Sequence, residues 1–240
     1  MTMRRKHFDE IQSLYPHPAV EVQSLSRYRA SISMSSSSPS PPPSDYRPKF
    51  FTKKWTITIP SNPTVRFSRA TPSHFDVWLP IATNADNNKL QDSKDQVWDE
   101  VAISKWKDRM HDQYVKSNTD FHCLKVLIEV DGQVMGFGDI FVIRPGIANI
   151  GVVLNEEVRG KGLGKLTTSV LTQLALNFGL QAVAGTMRDN EPMRSTLRNL
   201  GFVEEEKIIE LEGRGIVAEF SYTLSREGWK DIDLSVEFEE

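Results

Sequence analysis

The run Ala148-Asn149-Ile150-Gly151-Val152-Val153-Leu154 and the later turn Arg159-Gly160-Lys161-Gly162-Leu163-Gly164-Lys165 decide how this 240-residue chain folds. The first is a short apolar segment of strand type. Beyond the turn, Leu163, Leu166, Val170, Leu174 and Phe178 recur at helical spacing. A strand, a glycine-rich turn and a helix start make an anion site: glycine lets the backbone approach a ligand, and the first N–H groups of a helix lack internal partners. The helix dipole favours negative charge at the same point, and Lys161 and Lys165 add positive potential.

Patterns that the turn fails to match narrow its ligand. A P-loop ending on Lys165 would need glycine at position 159 and Ser or Thr at 166, where the chain has Arg159 and Leu166. A dinucleotide fingerprint starting at Gly160 and Gly162 would place its third glycine where Lys165 stands, and no acidic residue lies near Leu180 to hold a ribose. The pattern that fits is R-x-x-G-x-G, carried by Arg159, Gly162 and Gly164. It resembles the coenzyme A pyrophosphate loop of the GNAT superfamily of N-acetyltransferases.

A second segment strengthens the resemblance. After a helix stop at Gly179 and a short strand from Leu180 to Met187 comes Asn190-Glu191-Pro192-Met193-Arg194-Ser195-Thr196-Leu197-Arg198-Asn199-Leu200-Gly201-Phe202. Asn190 suits an N-cap, Pro192 a first helical turn and Gly201 a C′ position. The string is similar to the second GNAT signature, an Asn-headed short helix closing on Leu-Gly-Phe. Both signatures stand in family order, so the resemblance covers roughly residues 64 to 226.

The remaining elements agree with that order. Val65 to Arg69 reads as a strand, Thr71-Pro72 opens a helix with Phe75, Trp78 and Leu79, and Trp98, Ala102, Trp106, Met110 and Tyr114 mark a second helix with a core stripe. Residues Ala82 to Ser93 between them read as a polar loop near the acceptor. Asp131-Gly132 is a hairpin turn between Phe121 to Val130 and Gln133 to Ile143, and Phe202 to Glu212 pairs with Gly215 to Leu224. The expected fold is α/β (α+β), the GNAT fold: a central, mixed but mostly antiparallel sheet flanked by helices.

Composition sets the surroundings of that domain. From Ser31 to Ser44 eight of fourteen residues are Ser and four are Pro, so residues 1–54 are expected to form a disordered tail. Through Lys54 nine Lys or Arg face four Asp or Glu; in the rest 20 face 28, a balance of −8. The domain itself is assigned to residues 55–228, with an acidic C-terminal tail at 229–240. No run of 18 apolar residues suggests a membrane span, and nothing points to a nucleic acid partner. Arg4, Arg5 and Lys6 precede Asp9 and Glu10, which argues against a mitochondrial leader. The single Cys123 reads as a buried apolar residue, giving a cytoplasmic or nuclear, reducing location. Histidines at 7, 17, 74, 111 and 122 show no metal-ligand spacing, and no metal is expected.

The resemblance implies acetyl transfer from acetyl-CoA, as co-substrate, to a primary amine of a small molecule or a protein. It implies that the pantetheine arm pairs with the backbone of Val152, Val153 and Leu154, that Arg159, Gly160, Lys161, Gly162, Leu163, Gly164 and Lys165 form the pyrophosphate site, and that Asn190 contacts the coenzyme arm. Two family features are missing. Leu197 stands where many members have an acid tyrosine, and Ala148 and Asn149 stand where many have a glutamate. A carboxylate in an apolar strand is costly unless solvated or paired, and a tight turn at Pro145-Gly146 would bring Asp139 across from Val152. Asp139 is therefore the candidate base. The alternatives are a coenzyme-binding protein without turnover and an adaptor working through the N-terminal tail. Fold does not select the acceptor, although the −8 balance favours a cationic one. Monomer and homodimer both remain open.

Overall fold

The computed structural model describes residues 46–90, 95–211 and 215–239. Its strands are β1 (Trp55–Thr58), β2 (Val65–Arg69), β3 (Cys123–Val130), β4 (Gln133–Arg144), β5 (Ile147–Leu154), β6 (Gln181–Met187), β7 (Val203–Leu211), β8 (Gly215–Leu224) and β9 (Ser235–Phe238). Its α-helices are α1 (Tyr46–Thr52), α2 (Phe75–Thr83), α3 (Ala85–Asn88), α4 (Glu100–Asp120), α5 (Leu163–Asn177) and α6 (Glu191–Asn199). The strands join in one sheet, ordered β7-β8-β6-β5-β4-β3-β2-β1-β9. Only β5 and β6 run parallel, because α5 carries the chain across between them; the other neighbours are antiparallel.

Local chemistry explains most boundaries. Asp131 and Gly132 both take positive φ, 51° and 80°, the conformation a two-residue hairpin turn requires between β3 and β4. Asp99 caps α4 through the Ala102 N–H, and Gly179 ends α5 with φ 75°. Helices cover both sides of the sheet. On one side Val170, Leu171 and Leu174 of α5 pack with Ile140, Ile150 and Leu154 and with Phe50 of α1. On the other, Trp78 and Ala82 of α2 and Trp106 and Met110 of α4 close over Leu127 and Phe137. The helical stripe read from the sequence is thus core, with Trp106 and Met110 its buried centre.

Four expectations need correction. The tail was drawn through residue 54, but Tyr46–Thr52 is helical, and Phe50 and Phe51 are fully buried. Phe50 meets Trp55, Phe178 and Phe238 at ring-centroid distances of 5.1, 5.3 and 5.2 Å. Residues 229–240 are likewise more than an acidic tail, since Ser235–Phe238 pairs with β1 as an edge strand and Trp229 and Ile232 pack on the core. Aromatic burial at both ends outweighed the polar composition that surrounds it. The Ala82 to Ser93 segment contains the end of α2 and all of α3, capped by Asn84 accepting from the Asp86 and Asn87 N–H groups; residues 91–94 lie outside the described residues.

The fourth correction concerns register. Arg144 faces Ile147 across the turn, but a bulge between Val142 and Arg144 shifts the pairing by one, so Asp139 faces Gly151 and Gly138 faces Val152. Because side chains alternate, this slip puts Asp139 on the α4 side of the sheet with Gly151, and Val152 on the α5 side.

Candidate functional site

The site starts from a parting of strands. β5 and β6 pair at Ile147↔Gln181, Ala148↔Ala182 and Asn149↔Val183, after which β5 continues to Leu154 and β6 to Met187 without further pairing. Main-chain groups along such an edge call for partners. Gln181 N–H donates to Gly146 C=O and Asn155 N–H donates to Met135 C=O, which fixes the alternation along β5. Val152 and Leu154 therefore aim their main-chain groups into the gap, whereas those of Val153 are directed at β4. Leu154 C=O already accepts two bonds from Arg159, at 3.0 and 2.7 Å. Of the two expected pantetheine contacts that face the gap, Val152 is the one whose C=O Arg159 does not take up.

At the open end of β5 lies the glycine-rich turn. Gly160 and Gly162 have φ of 73° and 83°, values that a side chain would strain, and Gly162 is the N-cap of α5 without a side chain to bond the helix start. The first helical bond runs from Leu166 N–H to Gly162 C=O at 3.0 Å. The N–H groups of Leu163, Gly164 and Lys165 are thus the orphan donors of a 15-residue helix. Gly164 has an ordinary backbone, and a Cβ there would meet only Leu154 Cδ1, at 3.8 Å. Open space, not conformation, is what its missing side chain leaves. Lys161 and Lys165 are exposed beside these donors. Arg159 is different: its guanidinium turns inward to Leu154 C=O, Asp86 C=O and Asn87 Oδ1, bracing the turn.

The other wall begins where β6 ends. Asn190 N–H donates to Met187 C=O at 3.0 Å, and Asn190 Oδ1 caps α6 by accepting from Met193 N–H. Its amide therefore stands at the mouth of the gap. Leu197, by contrast, is fully buried in the core. Tyr222 on β8, also fully buried, donates its hydroxyl to Glu204 on β7, away from the gap, and burial together with that bond pushes its pKa up to about 12. Neither supplies an acid.

Comparison with known proteins agrees with this fold. Residues 88–202 match the model of the acetyltransferase (GNAT) family. The matched segment is a GNAT-family acetyltransferase domain. No curated protein matches the sequence. A solved structure of RimL, the ribosomal L7/L12 α-N-protein acetyltransferase with coenzyme A, is similar at 17% identity over 71% of this chain and 98% of that one, TM-score 0.57. RimJ of Mycobacterium smegmatis with a CoA disulfide is similar at 20% identity, over 75% and 90%, TM-score 0.56. The microcin C7 self-immunity acetyltransferase with acetyl-CoA and AMP stands at 17%, over 68% and 93%, TM-score 0.56. At these identities the likeness is one of fold.

The protein presents a different surface on the α4 side of the gap. Asp139 lies over Gly151, so close that a Cβ there would come within 2.6 Å of Oδ1. Lys125 Nζ holds the same carboxylate through Oδ2 at 2.6 Å, with side chains only 14% and 22% exposed. Asn149, on this side, is half-buried, while Ala148 is buried under α5. Across the gap, Gly185 of β6 is exposed and pairs with Ser221. Cys123, next along from Lys125, is a buried thiol raised to about 11 mainly by burial, hence inert at neutral pH. Lys125 and Gly151 escaped the sequence reading, although a glycine inside an apolar strand is itself a sign of close approach. Among the described residues no cluster could hold a metal ion, and no helix is long and apolar enough to cross a membrane.

Proposed function

We propose that this acetyltransferase moves acetyl from acetyl-CoA to the α-amine of a peptide or protein, with coenzyme and acceptor meeting through the gap between β5 and β6. The observation that carries the reading is the open edge of Val152, which leads from the phosphate turn into the parted strands. The pyrophosphate is received by the N–H groups of Leu163, Gly164 and Lys165 and by the field of Lys161 and Lys165. Val152 N–H and C=O pair with the pantetheine amides, and Asn190 approaches the arm from the opposite wall. The amine attacks the thioester carbon, a C–N bond forms, the C–S bond breaks, and main-chain N–H groups at the gap stabilise the oxyanion between. Coenzyme A leaves as thiolate, tolerable without an acid because a thiol pKa near ~8.5 makes it a fair leaving group.

Asp139 receives the ammonium proton in this scheme. An α-amine with a pKa near ~8 is only about one-tenth neutral at pH 7, so Asp139→Asn should lower kcat/KM about tenfold there and lose its effect above about pH 9. Gly151→Ala, by displacing the carboxylate, should reproduce the same profile. A pH–rate profile unchanged in both variants removes Asp139 from the reaction.

The acceptor class rests on the α4 side of the gap. Its floor is Gly151, Gly185 and Ser221, low side chains that admit an extended main chain. Thioester consumption should appear with unblocked peptides and vanish when the same peptides are N-terminally acetylated. Turnover with spermidine but with none of the peptides would overturn this choice. The buried Leu197 and averted Tyr222 favour one other reading, a coenzyme binder without catalysis. Saturable acetyl-CoA binding with no thioester loss across both amine classes would establish it.

A further inference from the structure

Asn87 is a buried polar side chain, 6% exposed, on a helix of four residues, and the reaction described above makes no use of it. Its amide nitrogen donates to Ile81 C=O at 3.1 Å and to Asn155 Oδ1 at 2.8 Å, while its oxygen accepts from Arg159 at 2.8 Å. Three segments meet there. Ile81 belongs to α2, Asn155 follows β5 and is fixed by its N–H to Met135 C=O, and Arg159 begins the phosphate turn. Arg159 adds a second tie to the same segment through Asp86 C=O at 3.2 Å. Asn88, 5% exposed, secures the segment internally by donating to Ala82 C=O and Asn84 C=O.

Resting on the coenzyme site assigned above, we propose that Arg159 and Asn87 form a latch through which coenzyme occupancy of the phosphate turn stiffens the α2–α3 segment. Asn87 is a positioning residue in this scheme, because it touches no reacting atom. Two features make the coupling physical. Gly160 and Gly162 in left-handed conformation, with open space around both, leave the turn few internal contacts, so an anion bound to its N–H groups removes motion that Arg159 shares. The acceptors of Arg159 are three neutral oxygens, and among the described residues no carboxylate pairs with it, so its charge remains to attract the pyrophosphate while its donors hold α3. The α2 helix packs against β4 and β5 on the side of Asp139, through Trp78 and Phe137, so a stiffened α2–α3 segment borders the face that receives the acceptor.

The test is amide hydrogen exchange of Asp86, Asn87 and Asn88 in the whole protein, with and without saturating coenzyme A, beside calorimetric titration with coenzyme A. In the parent, coenzyme A should slow exchange of these amides about fivefold or more. Asn87→Ala should bind coenzyme A within about threefold of the parent yet lose that slowing, because the turn keeps its donors while the tie is cut. Asn87→Asp keeps an oxygen for Arg159 and should retain the slowing, which separates the latch from a general loosening of the fold. Unchanged or faster exchange in the parent, or equal slowing in Asn87→Ala, would overturn the latch. Absence of coenzyme A binding by the parent would appear in the calorimetry and overturn the site assignment, and the latch with it.

Discussion

Replacing Gly164 by Asp should weaken acetyl-CoA binding about a hundredfold, or ~2.7 kcal/mol, while the melting temperature holds or rises. The two halves of this expectation have one cause. Position 164 lies in the first turn of α5, where a carboxylate complements the helix dipole and can accept from the orphan N–H groups. A Cβ meets only Leu154 Cδ1 at an ordinary 3.8 Å, and the backbone angle is open to any residue, so the fold has no reason to object. The pyrophosphate does. It loses its donors to the new carboxylate and meets like charge in their place. Calorimetric titration with acetyl-CoA and a thermal melt on the same sample read both halves, and an intact variant with parental affinity would remove the turn from the coenzyme site.

The largest effect on stability is expected far from that site. Phe50→Ala should destabilise the domain by about 3–5 kcal/mol, because a fully buried ring is removed from a cluster that also holds Tyr46, Trp55, Phe178 and Phe238. The Trp55 indole N–H donates to Phe50 C=O at 2.8 Å, so the backbone position is anchored and the cavity has little freedom to collapse. The contacts join the helix before the first strand to the strand that ends the described chain. A chain starting at residue 55 should therefore be less stable than one starting at 46 by at least as much. Denaturant melts of the four proteins decide it, and equal midpoints for Phe50→Ala and the parent would show that α1 is dispensable.

That N-terminal clasp also marks where sequence reading reached its limit. Strands β2 to β8 and helices α4 to α6 were legible because their signals are local: a hairpin turn at Asp131-Gly132, an Asn190 cap, glycines at 179 and 201, and apolar periodicity. Phe50 and Phe51 gave no such signal, since their partners Phe178 and Phe238 are distant in sequence and the Ser/Pro-rich stretch before them dominates the composition. The site divided in the same way. The glycine-rich turn and the Asn190 cap follow from residue type and order. The exact neighbour of Asp139 did not, because the bulge at Val142 and Arg144 moves the register by one and has no mark in the sequence. Arg159 was grouped with the phosphate contacts by its motif; only the fold shows its side chain spent on Leu154, Asp86 and Asn87.

The central claim is that the coenzyme arm enters the gap between β5 and β6 along Val152, and amide chemical shifts during a titration with coenzyme A test it most directly. The Val152 resonance should move and saturate together with those of Leu163, Gly164 and Lys165, at the affinity found by calorimetry, while that of Trp106 on α4 stays in place. Saturable binding that leaves Val152 unmoved would contradict the account, because the coenzyme would then lie elsewhere than in the parted strands.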